Sequence, residues 1–350
     1  MIEKYYSGVI EQIYNRIGKE TRNIVMANYS NDFSIENLEV IRRYQSNEDN
    51  VFFAYSEFSY NTLVGAYEPF LDIICNMHRR FIGGSFDEFQ KECGVYYLHR
   101  QVLNSYYETG ECFREETVLL NEVAYEQRRM TMAIADMLKK LSEVKPLMIV
   151  INRFQMASKS SIETIKYLID NPCANIGIVL GVNAIVKGTD STVEVWDRIV
   201  ESLEDRSAIY YIGSAGPLKN NVKTTNDDEL YITMNFEQSI QEASNIMEFL
   251  DFEQARRGCR IIEHKLKFED AWIDEKSLRR FYMVYARTSV LLGEMSKAIE
   301  LTNEYKALIP ENDSEHYLSL YYFMKGTCYM YQGKLEKAGN SAKSAYDYAV

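Results

Sequence analysis

Five short runs of β-branched and aromatic residues constrain this chain more than anything else in it: Ile24–Met26, Val51–Tyr55, Leu147–Ile151, Ile176–Leu180 and Ala208–Ile212. Polar or turn residues flank each run, and stretches with helical spacing separate them. A continuous apolar run leaves no face for water, so each predicts a strand buried on both sides. Strands of that kind joined through helices form a parallel sheet. The stretch Glu116–Val144 carries apolar residues at helical spacing, from Leu119 and Leu120 through Ile134 to Leu141. It predicts one long helix leading into the strand at Leu147.

The second half follows a different pattern. Phe252-Glu253-Gln254-Ala255, Met295-Ser296-Lys297-Ala298 and Leu335-Glu336-Lys337-Ala338 share one motif, with alanines 43 and 40 residues apart. In the last two units Tyr282, Ala286, Gly293 and Ala298 align with Tyr322, Gly326, Gly333 and Ala338. A small residue midway along one helix, a glycine at the turn and an alanine on the next helix permit close helix packing. The series resembles the tetratricopeptide repeat, a helix–turn–helix unit that stacks into a solenoid. The expected division is an α/β domain over 1–218, a polar linker over 219–235 and helical repeats over 236–350.

At 350 residues the chain is long enough for two cores. No run is long and apolar enough to cross a bilayer, and the N-terminus lacks the pattern of a signal peptide. The six cysteines are scattered without a CxxC pair. Reduced cytoplasmic thiols explain them better than disulfides or zinc, and the four histidines lie far apart. A net charge of −12 argues against nucleic-acid binding by this segment. Arg79-Arg80, Arg128-Arg129 and Arg279-Arg280 read as solvated or ion-paired, and Gly83-Gly84-Ser85 as a loop or helix stop. No Ser/His/Asp or Cys/His pairing supports nucleophilic catalysis.

The strand Leu147–Ile151 runs into Asn152-Arg153-Phe154-Gln155-Met156-Ala157-Ser158, and Ser160–Leu168 follows as a helix. This layout resembles the Walker B segment of a P-loop ATPase, where the strand ends in two acidic residues. Across residues 1–215 the order of segments resembles the NTPase domain of STAND signalling ATPases, which often precede tetratricopeptide arrays in bacterial regulators. That resemblance implies a P-loop-NTPase-like sheet flanked by helices. It places the phosphate loop after Ile24–Met26, followed by a helix from Ile35 to Tyr44. The glycines of G-x-x-x-x-G-K-[ST] become Ala27 and Asp32, the lysine becomes Phe33, and only the hydroxyl survives, as Ser34. The acidic pair becomes Asn152 and Arg153, and Asn183 stands where relatives place a sensor arginine. A loop without its glycines cannot wrap phosphate, and Asp32 would repel it.

The expectation is therefore a non-catalytic regulatory module, a pseudo-ATPase domain joined to a repeat scaffold in a bacterial cytoplasm. It needs no cofactor, ATP and magnesium being disfavoured. A protein or peptide partner is expected on the repeats, with Tyr285, Tyr321 and Tyr331 as contact residues, and self-association remains open. If the chain is the front of a longer regulator, the resemblance implies an output domain. Two rivals stand beside this reading. One is a residual ATPase with Ser34 and Asn152 on the metal, and the other is a structural self-assembly module. A doubly wound domain of another lineage would also give these strands.

Overall fold

The computed structural model describes residues 2–29, 38–46, 50–59, 63–114, 118–183, 193–212, 235–268, 273–312 and 314–350. Contacts divide the chain into two compact units. The first comprises Met1–Gly110 and Gln127–Tyr231, the second Glu111–Glu126 and Ile232–Val350.

The first unit is built on a five-stranded, all-parallel sheet. Its strands are β1 (Ile24–Tyr29), β2 (Phe52–Glu57), β3 (Leu147–Asn152), β4 (Ile176–Asn183) and β5 (Ile209–Ile212), in the order β2-β3-β4-β1-β5. Every residue of β3 and β4 is buried, which is why these segments read as unbroken apolar runs. Helix α1 (Ile2–Arg16) covers one face with Tyr6, Val9, Ile10 and Ile13, a stripe at helical spacing, and α2 (Glu39–Ser46) adds Val40 and Ile41. Helices α3 (Phe70–Met77), α4 (Phe86–Glu92), α5 (Tyr97–Thr109) and α6 (Val123–Val144) intervene between β2 and β3. Gly83 and Gly84, both at positive φ, end the turn after α3, and Ser85 caps α4. Helices α7 (Lys159–Asp170) and α8 (Val193–Glu204) pack on each other. The crossover β3–α7–β4 runs across the sheet in the opposite sense to β1–α2–β2. Right-handed connections then place α7 and α8 on the face away from α1 and α2.

The second unit contains three antiparallel hairpins: α9 (Phe236–Glu248) with α10 (Phe252–Phe268), α11 (Glu275–Leu291) with α12 (Met295–Ala307), and α13 (Ser314–Tyr331) with α14 (Leu335–Ala349). Asn235 and Asp274 cap α9 and α11, accepting from the N–H groups of Gln238 and Ser277, each at 2.9 Å. The turns repeat one geometry, with φ of 69° at Leu250, 78° at Gly293 and 72° at Gly333. Two hairpins place glycine in this left-handed conformation. The first places leucine there, at a cost of roughly 1 kcal/mol, which accounts for its weaker repeat signature.

Several expected boundaries move. Strand β1 extends through Tyr29, so Ala27 is a buried mid-strand residue and not the first residue of a loop. Asn183 likewise ends β4 and does not follow it. The described helix after β1 begins at Glu39. Helix α6 begins at Val123, because residues 120–122 form a turn in which the Leu119 carbonyl accepts the Glu122 N–H at 2.9 Å. Of the expected linker, 219–235, only Asn235 lies within the described residues.

The third hairpin yields a direct test. A Cβ on Gly326 would lie 3.3 Å from Ser341 Cβ and 3.4 Å from the Ala338 carbonyl. Gly326→Val should therefore separate α13 from α14 and destabilise the second unit by about 1–3 kcal/mol, measured by urea denaturation. Gly326→Ala should cost less.

Candidate functional site

Strands β1 and β4 are neighbours whose outgoing connections lie on opposite faces of the sheet. Such a switch point opens a crevice at the carboxyl ends of the strands, where open parallel sheets bind ligands. Tyr29, Asn152 and Asn183 are the last residues of β1, β3 and β4. Register and side-chain alternation put Glu57, Asn152, Gly181 and Tyr29 on the face that carries α1.

The groups at this edge are engaged with one another. The Tyr29 hydroxyl donates to Oδ1 of Asn152 at 2.6 Å. Tyr6 meets Tyr29 edge to face, with ring centroids 6.4 Å apart. Its hydroxyl lies over Gly181, where a Cβ would approach it to 2.4 Å and Asn152 Oδ1 to 2.9 Å. Tyr6, Tyr29 and Asn152 are fully buried. Burial, reinforced by Tyr29, Tyr55 and Glu57, holds the Tyr6 phenol well above its ordinary range, so it stays neutral.

Next to this cluster the chain turns through Arg153, at a φ of 54°. Its Nη1 lies 3.1 Å from Glu57 Oε1, and Tyr55 donates to the other carboxylate oxygen at 2.5 Å. Phe154, buried against Phe58 and Trp196, fixes the turn. Ser158 then caps α7. The Asn183 main-chain N–H donates to Gln155 Oε1 at 3.2 Å.

These residues do not fit a magnesium–nucleotide. At the end of β3 a metal would find an amide oxygen that already accepts from a phenol. The nearby cation, Arg153, is neutralised by Glu57. Among the described residues no cluster of three His, Cys, Asp or Glu side chains could hold a metal ion. Asp32, Phe33 and Ser34 lie outside the described residues. Asn152, Arg153 and Asn183 are brought to one edge of the sheet, whereas Ala27 sits two residues short of the end of β1.

The partner-contact tyrosines separate. Tyr285 and Tyr321 are 3% and 2% exposed and belong to the helical core, so they cannot offer an open face. Tyr331 is half-buried, and its hydroxyl accepts the Leu120 N–H at 2.9 Å. Sequence reasoning missed Tyr6, Tyr29, Glu57 and Gly181. The stripe Tyr6, Val9, Ile10, Ile13 and a glycine inside an apolar strand, which marks a close approach, were the available signals.

Gly181→Ala should destabilise the first unit by about 1–3 kcal/mol, and by less in a Tyr6→Phe background, where the clashing hydroxyl is gone. Denaturant titration of the four variants should give a coupling of at least about 0.5 kcal/mol. Tyr6 also gives the first unit a pH dependence. An unfolded tyrosine ionises near 10 while the folded one resists, so stability is full below that pH and falls as pH rises above it. The alkaline fall should be shallower in Tyr6→Phe. No protein-family model, no curated protein and no solved structure matches the chain.

Proposed function

We propose that this chain is a non-catalytic signalling or regulatory module of a bacterial cytoplasm. In this reading the α/β unit is a P-loop-NTPase-like domain whose nucleotide site has become a structural contact. The hairpins form a tetratricopeptide-like scaffold for a protein or peptide partner. One observation carries the first half: the buried contact of Tyr29 with Asn152, packed beneath Tyr6 over Gly181, stands where a Mg²⁺-binding carboxylate would be needed. The turn geometry repeated at Leu250, Gly293 and Gly333 supports the second half. Among the described residues no helix is long and apolar enough to cross a membrane.

Without a nucleotide step, a switch between two forms has to draw on a ligand's differential affinity for them. Calorimetry of the whole chain with ATP and ADP, with and without magnesium, tests the proposal. No heat and no thermal shift at millimolar nucleotide are expected, and micromolar magnesium-dependent binding would overturn it. Arg153→Glu, which restores an acid to the strand end, should not confer hydrolysis. It sets two carboxylates against each other at Glu57 and should lower stability by about 1–2 kcal/mol.

A further inference from the structure

Positions that are covered in the first two hairpins are bare in the third. Counted back from the turn residues Leu250, Gly293 and Gly333, Met247, Val290 and Met330 are equivalent. The first two are buried, whereas Met330 is 44% exposed. Ile240 is buried, and its counterpart Phe323 is 47% exposed. On the second helices Phe252 is buried and Met295 half-buried, but Leu335 is 71% exposed. Cys259 and Thr302 are buried, and Ala342 is exposed. Stacking supplies the cover, since α11 packs on both α9 and α10, and α13 on both α11 and α12. A solenoid face that meets water has to be polar, so an apolar face of this kind calls for a helix on it.

The sequence of α14 says which helix fits. Leu335, Gly339, Ala342, Tyr346 and Ala349 are all exposed and follow at alternating spacings of four and three, the seam of a two-helix coil. Leu335 and Tyr346 are large, and Gly339 and Ala342 between them are small. Run antiparallel against a second copy, this seam complements itself. The register that sets Leu335 opposite the partner's Tyr346 also sets Gly339 opposite the partner's Ala342, so the backbones approach where side chains are small. The same register brings Glu336 to within about 3 Å, along the axis, of the partner's Lys343. Two-fold symmetry makes that charge pair twice, and both residues are exposed beside the seam.

We propose that this face of the third hairpin is the contact between two copies of the chain, joined by antiparallel pairing of α14 with α14. Phe323 and Met330 of α13 line one concavity with Gly339 and Ala342, which places them at the border of the same contact. A contact of this symmetry closes on itself and leaves no second apolar face open. It draws only on the hairpin array and is independent of the nucleotide site.

Sedimentation equilibrium of the full chain tests the pairing, with a dimer expected at about 50 μM. Gly339→Arg puts a charge on the seam, yet a Cβ there meets nothing within 4 Å, so the hairpin itself should fold unchanged. It should raise the dissociation constant at least about tenfold. Glu336→Lys and Lys343→Glu should each weaken association by about threefold or more, and the double variant, which restores both charge pairs, should recover it. A monomeric mass at about 100 μM overturns the proposal and leaves the face to a helix of another protein. Association that Gly339→Arg leaves unchanged, or a double variant no tighter than the single ones, overturns it as well.

Discussion

The missing side chain at Gly181 is the constraint on which the first unit's functional edge depends. A methyl group there would lie inside contact distance of both the Tyr6 hydroxyl and the Asn152 amide. Because it is absent, α1 can bring a neutral phenol down onto β4 while Asn152 turns toward Tyr29. Four elements, α1, β1, β3 and β4, converge on one dry polar contact. Such contacts are favourable only when well satisfied, and the Tyr29–Asn152 hydrogen bond supplies that satisfaction at the buried end of the central strand.

Charge is handled separately, one residue further along. A carboxylate at the end of β3 would sit against the buried phenols of Tyr6 and Tyr29. The acid at this edge is instead Glu57, on β2, where Arg153 and Tyr55 both reach it. The left-handed backbone at Arg153 is unusual for a residue with a side chain. The ion pair with Glu57 and the packing of Phe154 hold it in place. Among the described residues, the strand ends thus pair an amide with a phenol and a cation with an anion.

How much of this was legible in the sequence follows from the range of the interactions. The sheet was, because strands buried on both faces have to be apolar throughout, and that signal is local. The hairpins were, because Gly293 and Gly333 meet a backbone requirement at a fixed distance from Ala298 and Ala338. Asn152 and Arg153 were legible as departures from an acidic pair, but their partners were not. Tyr29 lies 123 residues from Asn152 and Arg153 pairs with a different strand, so strand order had to be known first. Tyr285 and Tyr321 failed for a related reason. Helical spacing identifies a stripe, but it does not say whether the stripe faces a neighbouring helix or an open groove.

The start of α6 shows where local pattern and tertiary packing disagree. Leu119 and Leu120 continue the apolar spacing of the helix that follows, and by propensity alone they would extend it. The structure assigns them elsewhere: Leu119 lines the groove of the hairpins, and the Leu120 amide is held by Tyr331. A residue whose helical N–H would point at an unfilled first turn gains a partner by leaving the helix.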